Sequence, residues 1–318
     1  MSDFTPFREK MEQANVSEAA IKSFDRNFQS LVKEETGMIS EDSIQPIPDL
    51  PELSDISSAD TAFDPATLAQ TVVIKLNGGL GTSMGLQKAK SLLPVKGDST
   101  FLDIIVDQIS YLRETTGAEV KFLLMNSFST SEDTLEHLEQ YADKNLADAA
   151  DVEMMQNQIP KIDVATMTPA ANPENPSLEW CPPGHGDLYA AIAGSGWLDK
   201  LLAAGVKYAF VSNSDNLGAV LDAGILKYFA ESGKPFLMEA TRRTEADKKG
   251  GHLATRIADS QLLLREVAQT ADEDLDQFQN IERHQYFNTN SLWIRLDSLK
   301  AALDEQGGSL PLPMIKNT

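Results

Sequence analysis

The sequence has a single cysteine in 318 residues, Cys181, which excludes an intrachain disulfide and suits a reducing compartment. It contains no run of about 18 apolar residues, the length a membrane helix needs. Its first residues, MSDFTPFREKMEQ, lack the apolar centre of a secretory signal. These absences point to a soluble, cytoplasmic protein with no membrane partner. Positive charge is also scarce: 27 Lys and Arg stand against 48 Asp and Glu, a formal net charge of −21. A nucleic-acid backbone demands clustered Lys and Arg, so nucleic acid is excluded as a partner class. A small phosphate ligand is not excluded. Backbone N–H groups, a few lysines and a metal ion can bind one inside a negative overall field, provided that the site is compact and locally basic.

Residues 3–36 read as helical, with Ser17 opening VSEAAIKSFDRNFQSLVKEETG and Gly37 placed to end it. Residues 38–66 are rich in Pro, Ser and Asp and read as an extended linker. Residues 1–66 are therefore expected to form a helical N-terminal arm and its tether, and 67–318 a core. From residue 71 short β-rich runs alternate with helical ones. TVVIKL is followed by TFLDIIVDQISYLRETTG, capped by Thr100, then EVKFLLMNS and SEDTLEHLEQYA; later come KYAFVSNSDN, DAGILKYFAESG, PFLMEAT, ATRIADSQLLLREVAQ and QYFNTNSLWIRL. Strand–helix alternation with near-continuous apolar strands predicts an α/β sandwich around a largely parallel sheet. Ligands of such sheets sit at the carboxyl ends of the strands, so LNGGLGT, MNSFST, VSNSDN and FNTNSLW become the candidate site.

The stretch IKLNGGLGTSMG places glycines where backbone must approach something closely. A dinucleotide fingerprint would need GxGxxG opening a helix, whereas the spacing here is GxGxxxG and LQKAKSLLPVKG follows. A phosphate loop of the GxxxxGK[ST] type is absent. A tight turn without a ligand remains open on spacing alone, although Lys88, Lys90 and Lys96 crowd just downstream in an otherwise acidic chain.

LNGGLGTSMG followed by KAKSLLPV resembles the signature loop of the UTP–glucose-1-phosphate uridylyltransferases. The resemblance continues in order through STFLD, LLMNSFST, QNQIPKI, CPPGHGDLYA, FVSNSDNLGA, KKGGHL and YFNTNSLWI, over roughly residues 70–296. It implies a Rossmann-like, glycosyltransferase-A-like nucleotidyltransferase fold, with a mixed, mostly parallel sheet flanked by helices. The implied reaction joins UTP and α-D-glucose 1-phosphate into UDP-glucose and pyrophosphate, assisted by Mg²⁺. Such a site works by positioning two anions and neutralising growing charge, and needs no Ser, Cys or His nucleophile.

Carried over residue by residue, the resemblance assigns uracil and ribose to the backbone of Leu76, Asn77, Gly78 and Gly79. It gives uracil reading to Gln158 with Gly184, and UTP phosphate to Lys90. Mg²⁺ falls to Asp215, and the sugar phosphate to His185, Asn213, Gly250, Gly251 and Asn290. Lys90 and Asp215 carry the catalytic roles. Ser291 replaces the second asparagine of the family's NTNNLW. The family continues past residue 318 into further core and a carboxy-terminal β-helical domain tied to self-association, so the chain reads as a truncated form of a longer protein. A different sugar 1-phosphate, or a nucleotide-sugar-binding fragment without turnover, stays open as an alternative.

Overall fold

The structure, a computed structural model, describes residues 3–58, 61–80 and 88–316. Two helices come first, α1 (Thr5–Gln13) and α2 (Glu18–Val32), and Ser17 caps the second by accepting the Ala20 N–H at 3.3 Å. A short strand β1 (Ile44–Pro46) lies within the segment expected as an extended linker. There follow β2 (Thr71–Asn77), α3 (Phe101–Thr116), β3 (Lys121–Asn126), α4 (Ser131–Leu138), β4 (Glu153–Met155), α5 (Asp187–Gly194), α6 (Trp197–Ala203) and β5 (Tyr208–Asn213). The chain continues as α7 (Ala223–Ser232), β6 (Phe236–Arg242), β7 (His252–Arg256), β8 (Leu262–Arg265), β9 (Tyr286–Arg295) and α8 (Leu296–Glu305). The expected start of α3 is present as a capping box between Thr100 and Asp103, and Gly117 ends the helix at φ +68°.

The nine strands form one mixed sheet in the order β1–β7–β9–β5–β2–β3–β4, with β6 also on β9 and β8 on β7. Its centre is parallel: β5, β2, β3 and β4 run the same way. Helices cover both faces of that centre. Val73, Phe122, Leu124, Tyr208 and Phe210 pack with α3 and α7 on one side. Val72, Ile74, Leu123, Met125, Ala209 and Val211 pack with α5, α6 and α8 on the other. Burial of both faces is why these strands read as apolar runs rather than alternating ones.

The N-terminal helices bury Phe7, Met11, Ile21, Phe24 and Phe28 against one another and against Ile159, Ile162, Met167 and Trp180. The linker is more tightly held than its composition suggested. Ile44, Gln45 and Pro46 pair with Arg256, Thr255 and Ala254 of β7. Just before them, the Glu41 carboxylate takes Arg265 at 2.5 Å, Arg283 at 2.6 Å and His284 at 2.9 Å. Arg265 is fully buried and also meets Asp274 at 3.0 Å. A buried guanidinium needs such partners, so one acidic residue in a polar stretch fixes the whole segment.

One glycine shows how closely the arm is seated. Gly194 ends α5, and a Cβ there would run into the Ser17 side chain at the start of α2. Glycine to alanine in a helix normally stabilises by about 0.5–1 kcal/mol. Here Gly194→Ala should instead destabilise by about 1–3 kcal/mol, the usual cost of overpacking. A urea midpoint above that of the unsubstituted chain would contradict this seating of α2.

Candidate active site

The carboxyl ends of the parallel strands are joined by a line of buried polar side chains. Asn126, the last residue of β3, donates its amide to Glu153 of β4 at 2.7 Å. Its carbonyl oxygen accepts Asn77 Nδ2 at 2.7 Å, and Asn77 Oδ1 accepts the Ser214 hydroxyl at 3.0 Å, just past β5. Asn77 Nδ2 also reaches Thr134 Oγ1 at 3.0 Å. The Asn77 side chain is thus turned into the protein. Asn77 as a whole is 1% exposed, and exposure returns at Gly78 and rises at Gly79.

Gly78 follows, its carbonyl accepting from Ser127 Oγ at 2.9 Å. The Gly79 carbonyl accepts the Lys90 N–H at 3.0 Å, and Leu80 bridges Ala89 in antiparallel fashion. These contacts close the stems of the loop and bring Lys90 beside the glycine turn. Gly81 to Gly85, the remainder of the glycine-rich stretch, lie outside the described residues. The Lys90 ammonium stands 3.6 Å from the Asp215 carboxylate, so the two expected catalytic residues share one place. Asp215 sits in the loop after β5, whose two ends are held by a fully buried lysine. Lys75 donates to Ser212 Oγ at 2.8 Å and to the Ala219 carbonyl at 2.7 Å. Burial pulls the Lys75 ammonium down to about 8, partly offset by the charge of Glu239.

Gln158, the amide expected to read uracil, is not the one at the turn. Gln156 is: its Oε1 lies 2.5 Å from where a Gly78 Cβ would stand. Its backbone N–H donates to the Asn126 carbonyl at 2.7 Å, which extends β4 past its last ladder pair. Two glutamines two residues apart fall on the same side of an extended chain, so alternation could not choose between them.

The PPGHGD loop leads into α5 and is tied to the segment that carries Gln156. Gly184 adopts φ +89°, a backbone that only glycine takes freely, and His185 is exposed beside it. Asp187 then turns inward and is buried. Its carboxylate accepts the Asn157 backbone N–H at 2.7 Å and Asn157 Nδ2 at 2.9 Å. Burial pushes the carboxyl up to about 6 against the opposing effect of those donors.

The residues expected at the sugar gather where β9 changes partner. Leu292 to Arg295 pair with β5, whereas Phe287 pairs with His252 of β7. On the β6 side, Met238 opposes Leu292 and Ala240 opposes Asn288, so β9 carries extra residues between them. Asn290 occupies this bulge at φ +58°, a conformation asparagine tolerates, and donates Nδ2 to Asn213 Oδ1 at 2.7 Å. Gly251 accepts the Asn288 N–H at 3.2 Å. A Cβ on Gly251 would meet the Glu266 carboxylate at 2.5 Å. Glu266 is an addition that the sequence did not signal. It is half-buried, and burial raises its carboxyl above the usual range while the charge of His185 opposes the rise. His185, Asn213, Gly250, Gly251, Glu266 and Asn290 line one end of an open groove of about 2120 Å³. Gly78, Gln156, Lys90 and Asp215 are not part of that lining.

A strand-end glycine turn, an amide against it and a lysine–aspartate pair beside a polar bulge suit a nucleotide joined to a polyhydroxylated partner. The model of the UTP–glucose-1-phosphate uridylyltransferase family matches residues 21–318. The chain belongs to this family. The Solanum tuberosum UTP–glucose-1-phosphate uridylyltransferase is 42% identical over 262 residues, covering 82% of this chain and 53% of that protein. A crystal structure of a mutant UDP-glucose pyrophosphorylase from Leishmania major superposes with TM-score 0.93 at 45% identity, covering 100% of this chain and 67% of that one. A second mutant of the Leishmania enzyme, crystallised in complex with UDP-glucose, gives TM-score 0.92 at 46% identity, with 100% and 68% covered. The chain spans about half the length of the curated relatives it matches. Among the described residues no helix is long and apolar enough to cross a membrane.

Lys90 and Asp215 are both more than a third exposed, and such ion pairs contribute about 0–1 kcal/mol. Lys90→Ala and Asp215→Asn should therefore each leave the urea midpoint nearly unchanged, within about 1 kcal/mol. A larger loss in either would mean that the pair holds the fold rather than waiting for a ligand.

Proposed function

We propose that this site transfers the uridylyl group of UTP to α-D-glucose 1-phosphate, giving UDP-glucose and pyrophosphate. The observation that carries the reading is the convergence of Gly78, Gln156, Lys90 and Asp215 at the carboxyl edge of the parallel strands, in a chain of this family. Uracil lies flat on Gly78 and Gly79, where side chains would exclude it. The Gln156 amide meets the base edge, offering one donor and one acceptor to uracil N3–H and O4. Lys90 holds the phosphates of UTP and stabilises the departing pyrophosphate, a charge-assisted contact of about 1.5–3 kcal/mol.

The sugar phosphate is anionic at neutral pH and attacks the α-phosphorus in line, so no residue has to remove a proton. His185 faces that phosphate, while Asn213, Asn290, Glu266 and the backbone of Gly250 and Gly251 face the sugar hydroxyls. Glu266 accepts hydrogen bonds, which suits a hydroxyl-rich ligand. The donor set fits Mg²⁺ held jointly with substrate. Among the described residues no three His, Cys, Asp or Glu cluster as a closed metal cage, and Asp215 offers one exposed carboxylate beside the phosphate lysine. Mg²⁺ characteristically takes one or two carboxylates and completes its shell with phosphate oxygens and water. When bound, it supplies charge neutralisation to the phosphates.

Calorimetric titration checks the nucleotide half directly. UTP should bind this chain and ATP should not, and Lys90→Ala should weaken UTP by about tenfold to a hundredfold. A cooperatively melting chain that ignores UTP would overturn the assignment.

A further inference from the structure

Gly250 and Gly251 line the groove, and backbone is all they can offer a ligand there. The Gly250 N–H donates to the Asp247 carbonyl at 2.9 Å, and the Gly251 carbonyl accepts the Asn288 N–H at 3.2 Å. The peptide group between them consists of the Gly250 carbonyl and the Gly251 N–H. Among the described residues it takes no hydrogen-bond partner. A peptide left unpaired at a groove offers one donor and one acceptor, the pattern that a hydroxyl group can answer. Where the two point depends on the turn that carries them.

That turn, residues 243–251 between β6 and β7, closes around Arg243, which is 6% exposed. Arg243 Nη2 donates to the Lys248 carbonyl at 2.8 Å and to the Asp247 carbonyl at 3.3 Å. Nη1 donates to the Phe278 carbonyl at 2.8 Å and to the His284 carbonyl at 3.3 Å. One guanidinium thus ties the turn to the segment before β9. The Asp247 oxygen receives both Arg243 and the Gly250 N–H, so a single atom lies between the arginine and the glycine pair.

All four acceptors of Arg243 are backbone carbonyls. The Asp247 carboxylate is engaged elsewhere, by the Thr244 N–H at 2.8 Å and Oγ1 at 2.6 Å. Burial pulls the guanidinium below its ordinary range, against the charge of Asp247. Burying a cation with carbonyls alone to meet it is a costly way to hold a turn. The cost is intelligible where the backbone is itself the binding group, because a planar fork fixes several carbonyls in one geometry.

On the sugar role given above to Gly250 and Gly251, we infer that Arg243 is a positioning residue for the hexose. It holds the unpaired Gly250–Gly251 peptide in the orientation that meets a sugar hydroxyl.

Calorimetric titration of the 318-residue chain with UDP-glucose and with UDP separates the contribution of the sugar from that of the nucleotide. UDP-glucose should bind the unsubstituted chain more tightly than UDP. Arg243→Met keeps much of the side-chain length and removes every donor. It should weaken UDP-glucose by about tenfold and leave UDP within about twofold. Arg243→Lys keeps the charge but reaches one pair of carbonyls at a time, so UDP-glucose should weaken by only about threefold. If Arg243→Met does not melt cooperatively, the lysine variant carries the test. An arginine that merely supports the fold would lower the melting temperature and leave the ratio of the two affinities unaltered. That unaltered ratio in a folded variant would overturn the positioning role and leave the sugar reading intact. Equal binding of UDP-glucose and UDP by the unsubstituted chain, or binding of neither, would remove both.

Discussion

The proposed active edge of this molecule depends on a directional line of buried amides. A carboxylate only accepts, so Glu153 fixes which end of the Asn126 amide faces it. Asn126 must then present its oxygen to Asn77, which must present its nitrogen in return and its own oxygen to Ser214. Each orientation follows from the one before. The line crosses from β4 through β3 and β2 to the residue after β5, where parallel strands would otherwise end in loose backbone. Buried polar groups are costly unless satisfied, and a satisfied network admits few alternative arrangements. The glycine turn therefore leaves the sheet from a fixed point. The strand ends carrying Gln156 and Asp215 are tied to the same line.

Two kinds of construction meet across β5, which has β2 on one side and β9 on the other. The edge proposed for the nucleotide stands on the parallel strands, where both faces are packed and the strand ends are tied together. The edge proposed for the sugar stands on the antiparallel extension, where the bulge in β9 turns Asn290 toward Asn213 and where Gly251 lets Glu266 approach. Lys75 couples the two. From inside the core it holds both ends of the loop that carries Asp215, and it feels the charge of Glu239 on β6. Glu239 accepts from Trp293 Nε1 at 2.7 Å, and its carbonyl accepts Thr289 Oγ1 at 2.8 Å, so it is fastened to the bulge itself.

Much of this was legible in the sequence, for physical reasons that differ by element. The parallel centre announced itself because burial on both faces writes apolar runs, and α3 because Thr100 and Gly117 are strong caps. The glycine turn, Lys90, Asp215, Asn213 and Asn290 were placed by motif, and the structure brings them to the same edge. The antiparallel strands were less visible, because β7 and β8 follow β6 without a crossover helix to mark them. The anchoring of the linker was not legible, because Pro, Ser and Asp give no sign of Glu41, whose partners come from a segment more than 200 residues away. Gln156 was missed by register and Glu266 by isolation: a single acid in an apolar run carries no pattern.

The amide line sets the edge proposed for the nucleotide, and Asn77→Asp interrupts that line at its centre. The change keeps shape and volume but removes both donors, and Asn126 cannot turn to compensate without opposing Glu153. Titrated with UTP below its melting temperature, the folded variant should bind at least about tenfold more weakly than the unsubstituted chain, the scale of one buried hydrogen bond left unmade. Unchanged UTP affinity in Asn77→Asp would show that the glycine turn is positioned by something else.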